Sequence, residues 1–236
     1  RNMAHYSLLS PEEQQQLREL TQVFVAEKTW QGCGGLALND EIRVTIAGQA
    51  CLLVLGLEHE LYSNVDSILV YPSTVVPKRI EDPYFALPQI VTDAMPLLGE
   101  AHQRGPIILT WDSVRRGGRH PERGHNVVYH EFAHKLDMLD GEVDGVPPLA
   151  DKAQYEEWVR VCTKVYQGLR QRLELGEPCL LDPYAATDVG EFFAVATECF
   201  FDEPIELEDT HPELYSVLRD FYRQDPAQRV RRDAQS

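Results

Sequence analysis

The stretch Val127-Val128-Tyr129-His130-Glu131-Phe132-Ala133-His134-Lys135-Leu136 restricts the fold of this chain more than any other. Val128, Phe132 and Leu136, with Leu139 beyond them, recur at helical spacing, so one side of a helix must enter a core. His130 and His134 lie one turn apart on a different side, which Asp137 shares. The helix is predicted to begin near Asn126 and to end by Asp140-Gly141. Such a helix has to lie between a packed interior and an open cleft, and the rest of the chain must build both.

The polar side spells H-E-x-x-H. Two imidazoles at positions i and i+4 can grip one ion. Zinc takes imidazole nitrogen at about 2.0–2.1 Å and favours four ligands. Glu131, one residue round from His130, is placed to take a proton from an attacking water without being a ligand. The plainer reading is two surface histidines on an amphipathic helix, and the apolar context weighs against it. His59-Glu60 opens the same pattern but reaches Ser63, so it has no metal claim.

A catalytic zinc needs a third protein ligand. The extended pattern H-E-x-x-H-x-x-G-x-x-H is absent, with Asp137 and Asp140 standing nearby instead. The candidate is Glu191, on a later helix, in D-V-G-E-F-F-A-V-A-T-E-C-F-F (188–201). Asp188-x-x-Glu191 is also a capping box, and spacing alone leaves ligand and cap level. Glu198, two turns along the same face, is the main rival; His211 and Asp137 are weaker ones. Asp137 fits better as an acceptor that orients an imidazole. Tyr184, seven residues before Glu191, could donate to an oxyanion, although a tyrosine after Asp182-Pro183 more often serves packing.

Elsewhere the signals are local. Ser10, Pro11 and Glu13 announce a helix running to about Lys28. Another opens after Asn39 or Asp40 with Ile42, Ile46, Ala50 and Leu53 on one face, while Val44-Thr45-Ile46 keeps a strand reading alive. Ser67–Tyr71 and Ile107–Trp111 read as strands, Pro77–Pro96 as an irregular connection and Arg115–Gly124 as a polar turn region. Further helices are expected over Ala150–Leu175, Val189–Phe200 and, last, Pro212–Arg223, with a loop at Pro178–Pro183. The expected class is α+β: mainly helical with a small sheet, in one domain over residues 1–236 whose catalytic core spans about 105–205.

Composition narrows the partners. A net charge of −16 repels phosphate backbones, which argues against direct nucleic-acid binding; Arg229, Arg231 and Arg232 read as a solvated, fraying tail. Five scattered cysteines form no C-x-x-C pair, as expected of reduced thiols in a cytoplasmic protein. No apolar run approaches the roughly 18 residues of a membrane helix, and Arg1–Ser10 lacks a signal-peptide pattern.

H-E-F-A-H-K-L-D-M (130–138) resembles the Mlc titration factor A family of bacterial zinc peptidases. So do D-P-Y-A-A-T-D-V-G-E-F-F-A-V (182–195), F-Y-R-Q-D-P (221–226) and Q-A-C-L-L-V-L (49–55), and the likeness extends over nearly the whole chain. The resemblance implies His130, His134 and Glu191 as ligands of one zinc ion, Glu131 as the catalytic glutamate and Tyr184 as the active-site tyrosine. It also implies a zincin-like fold of the glutamate-liganded kind and aminopeptidase-like activity on peptide or protein substrates. A regulatory role through the transcriptional repressor Mlc, in sugar-uptake control, is a further implication. The alternative is a non-catalytic repressor-binding regulator, whose structural metal would be closed by four protein ligands.

Overall fold

Ser10 starts the first helix as its spacing predicts. Its hydroxyl accepts from the Glu13 amide, the Glu13 carboxylate accepts from the Ser10 amide, and α1 runs over Pro11–Glu27. The computed structural model describes residues 2–57, 62–73 and 105–235. The proline-rich connection at 77–96 and His59-Glu60 lie outside these residues.

The strand β1 (Thr29–Gly32) follows, then α2 (Asp40–Leu53), capped by the Asn39 side chain on the Ile42 amide. Helix therefore prevails over strand at Val44-Thr45-Ile46. The strands β2 (Ser67–Tyr71) and β3 (Ile107–Thr110) complete a parallel sheet in the order β1-β2-β3, with Trp30 opposite Ile68 and Ile68 opposite Ile107. Trp111 ends no strand: it opens α3 (Trp111–Arg119). The expected polar turn at 115–124 is thus half helix, followed by a 3₁₀ turn at Pro121–Arg123. Gly117 and Gly118 belong to the buried side of α3, where they allow close approach rather than a turn.

The helix α4 (Val127–Asp137) carries H-E-x-x-H and passes through a 3₁₀ turn to Gly141, which is left-handed at φ 97°. After it come α5 (Lys152–Glu174), α6 (Val189–Asp202), α7 (Pro204–Thr210), α8 (Pro212–Tyr222) and α9 (Pro226–Asp233). The tail does not fray: Arg229 is buried in α9 and donates to Gln224 Oε1 and Glu13 Oε1, at 3.0 and 2.6 Å, while Arg231 pairs with Glu208.

The described chain is mainly helical with one small sheet, in accord with the α+β expectation. Its buried apolar side chains form one cluster. The helix α6 lies at the centre; it is apolar nearly all round and buried nearly all along, as a core helix must be. Val128, Phe132 and Leu136 of α4 enter this core, and Leu139 is partly buried against it. Asp137, expected on the open side, is fully buried. Among the described residues no helix is long and apolar enough to cross a membrane, and all five cysteines are free thiols.

Candidate metal centre

Two helices build the site. Asn126 caps α4, its side-chain oxygen accepting from the amides of Val128 and Tyr129, so the next turns carry His130 and His134 toward α6. Asp188 caps α6 on the Glu191 amide at 2.9 Å. Glu191 and Glu198 stand two turns apart on one face of α6 and meet α4 at its middle and at its start. The helices therefore run antiparallel.

Three atoms converge. His130 Nε2 and His134 Nε2 are 3.3 Å apart, and Glu191 Oε2 lies 3.0 Å from the first and 3.3 Å from the second. Among the described residues these are the one group of His, Cys, Asp or Glu side chains able to hold a metal, and no fourth joins them. Ligands about 2.0–2.1 Å from a tetrahedral ion stand about 3.3 Å from one another, which is the size of this triangle. Glu191 Oε2 is sealed from solvent, and the two ring nitrogens beside it stand at ion-pair distance without being aligned to donate a hydrogen bond to it. A buried oxygen without a donor costs free energy, and a cation between the three atoms would remove that cost. The residues fit a divalent ion.

The surroundings reinforce the charge pattern. Burial alone would lower the His130 pKa, but the carboxylates of Glu191 and Glu198 outweigh it and push it up to about 10. Burial would raise the Glu191 carboxyl, yet the two imidazoles hold it well below the usual carboxylate range. The other Glu191 oxygen accepts from the Tyr184 hydroxyl at 3.1 Å, and the Tyr184 ring centroid lies 6.0 Å from that of His130. Tyr184 belongs to a 3₁₀ turn, Pro183–Ala186, that Asp182 caps.

Asp188 caps the helix, and the Glu191 carboxylate does not reach back to it but lies against His130 and His134. Glu198, the rival ligand, instead takes His130 Nδ1 at 2.7 Å. Asp137 does not orient an imidazole; Gly145 donates its amide to Oδ2 at 3.2 Å, and Oδ1 has no partner. Burial pushes the Asp137 pKa up to about 6. His211 lies elsewhere, beside Lys164, Leu169 and Leu181 on a separate cavity. Glu131 is half-buried, and its charge acts on His130 and on the buried Lys135 ammonium, which donates to the Gly105 carbonyl at 3.2 Å. Sequence reasoning missed the structural part of Asn126, whose backbone amide donates to Glu198 and whose side chain donates to Gln49. The seven-residue spacing of Glu191 and Glu198 was the available signal.

The profile of the glucose-regulated metallo-peptidase M90 family matches residues 1–223. An uncharacterized protein of Synechocystis sp. is 41% identical over 224 residues, covering 94% of this chain and 80% of that protein. Mlc titration factor A of Pectobacterium atrosepticum is 35% identical over 228 residues, or 94% of this chain and 83% of its own length. Mlc titration factor A of Salmonella schwarzengrund is 34% identical over 232 residues, with coverages of 96% and 84%.

Proposed function

This chain belongs to the glucose-regulated metallo-peptidase M90 family, and on that premise we propose that it is a zinc-dependent, aminopeptidase-like peptidase of the glutamate-liganded zincin kind. The family is one of metallopeptidases, so a metal is implied. The observation that carries the reading is the triangle of His130, His134 and Glu191 around a buried carboxylate oxygen that lacks a donor.

In this reading those three residues hold one zinc ion. Bound zinc supplies a Lewis acid for the scissile carbonyl and lowers the pKa of a water toward about 7. Glu131 takes a proton from the attacking water and returns it to the leaving amine. Tyr184 turns its hydroxyl to the oxygen that gains charge on the scissile carbonyl. The Tyr184–Glu191 bond supports this by keeping the phenol beside the ligand set. With three protein ligands and no fourth among the described residues, the site suits catalysis, whereas a structural zinc is closed by four.

The relatives called Mlc titration factor A support a second role, in which this chain binds the repressor Mlc. We place it in the cytoplasm, acting on peptides or proteins and not on membranes or nucleic acid; its charge of −16 and five free thiols favour that.

Glu131→Gln is the direct test, with metal content and peptide-library cleavage measured side by side. Zinc should stay bound while cleavage falls by about 10²–10⁴-fold. A variant that cleaves at the wild-type rate sinks the assignment. Capture of purified Mlc by the same variant separates regulation from hydrolysis.

A further inference from the structure

Glu198 is buried, and both of its oxygens are engaged. Oε1 lies 2.7 Å from His130 Nδ1, and Oε2 accepts the Asn126 backbone amide at 2.6 Å. We propose that Glu198 is the positioning residue of the metal centre, fixing the His130 ring and the start of its helix with a single carboxylate; this rests on the reading of His130 as a ligand.

An ionised carboxylate can only accept, so Nδ1 must donate. The lone pair left for an ion is then on Nε2, the nitrogen that faces His134 and Glu191. Both contacts are short, as hydrogen bonds to a charged acceptor are. The second contact matters as much as the first. Asn126 is the cap of α4, and its side chain donates to Gln49 of α2 at 2.9 Å, so the position of His130 along α4 is fixed against two neighbouring helices. His134 has no equivalent; among the described residues its ring meets Glu191 and His130 through Nε2 alone. His130 is therefore the anchored ligand, and His134 follows from it by helical geometry.

A merely structural Glu198 would hold α6 on α4 without regard to the ion. The two roles separate in Glu198→Gln. A carboxamide offers one acceptor where this site needs two, so either the ring or the Asn126 amide meets an NH₂ group. Zinc affinity, read by chelator competition on the folded chain, should fall about 10–100-fold in E198Q, whether or not the melting temperature of the metal-free chain falls with it. Glu198→Asp keeps the charge and both acceptors and should lie between the two. In the zinc-loaded wild type, labelled with ¹⁵N-histidine, the His130 Nδ1–H should appear downfield and exchange slowly. Affinity unchanged in E198Q, or a missing ring N–H signal, overturns the proposal. A drop in metal-free melting temperature at constant affinity overturns it in favour of a packing role. A wild-type chain that takes up no zinc overturns both this assignment and the peptidase reading. Zinc lost as expected in a chain that cleaves nothing supports this assignment and sinks the peptidase reading alone.

Discussion

His130 has a carboxylate at each ring nitrogen, and in the metal-free chain that environment pushes its pKa up to about 10 despite burial. A raised imidazole pKa stabilises the fold fully below the ordinary value near 6.5, and this contribution is lost as pH rises from there through about 10. A divalent ion must displace the Nε2 proton over the same range. Metal uptake at pH 8 should therefore release about one proton, and affinity should climb up to about tenfold per pH unit toward 10. Calorimetry in two buffers of different ionisation enthalpy reads the proton count; uptake with no release at pH 8 would mean that the ring is already neutral. At this scale the sequence was informative about the two histidines, because a spacing of four fixes a shared face in any helix. It was not informative about Glu191 or Glu198, because the cap, ligand and orienting roles of a carboxylate differ only in what lies opposite, and α4 lies opposite through tertiary packing alone.

Among the elements, those with their own start signals were legible. Ser10 with Glu13 and Asn39 before Asp40 each act within one turn, and α1 and α2 begin where these residues predict. The helix α3 was not legible, since two adjacent glycines normally favour a turn. A Cβ on Gly118 would come within 2.2 Å of the Asn2 carbonyl oxygen and 2.9 Å of Gln49 Nε2, so the glycines serve contact between backbones. Gly168 is the opposite case: it lies inside α5 with nothing within 4 Å of an added Cβ. Gly118→Ala should destabilise by about 1–3 kcal/mol through overpacking. Gly168→Ala should stabilise by about 0.5–1 kcal/mol through helix propensity and lost unfolded-state freedom. Paired denaturant melts check both signs. Equal effects would mean that the close approach at α3 is not a constraint. The strand β1 escaped notice for a related reason: it is four residues long, largely exposed, and is a strand because β2 pairs with it.

For the whole molecule, the informative residue is Arg229. Read as part of a charge run, it belongs to a solvated tail; in the fold it is a buried cation that ties the end of the chain to its beginning. Gln224, which accepts from Arg229, donates in turn to the Leu52 and Leu53 carbonyls at 2.8 and 3.3 Å, so α9 is joined to α1 and to the end of α2 together. Burial would raise the Glu13 pKa, but Arg229, the Ser10 amide and Arg232 together outweigh it and hold the carboxyl below its ordinary value. That stabilisation is present above the ordinary carboxylate pKa and is lost as pH falls through the depressed one. Arg229→Ala removes the Arg229 share of it and leaves Gln224 Oε1 without its donor. The cost should be about 1–3 kcal/mol, or roughly 2–4 °C in melting temperature per kcal/mol for a chain of this length, and it should shrink at acid pH. The shape of the transition tests more than its midpoint. If residues 1–236 are one domain, as we expect, the variant should shift a single calorimetric transition to lower temperature, because helices from both ends of the chain share one apolar cluster. An early step in which α9 melts while α4 and α6 persist would show that the tail is a separate unit, and the single-domain reading would fail.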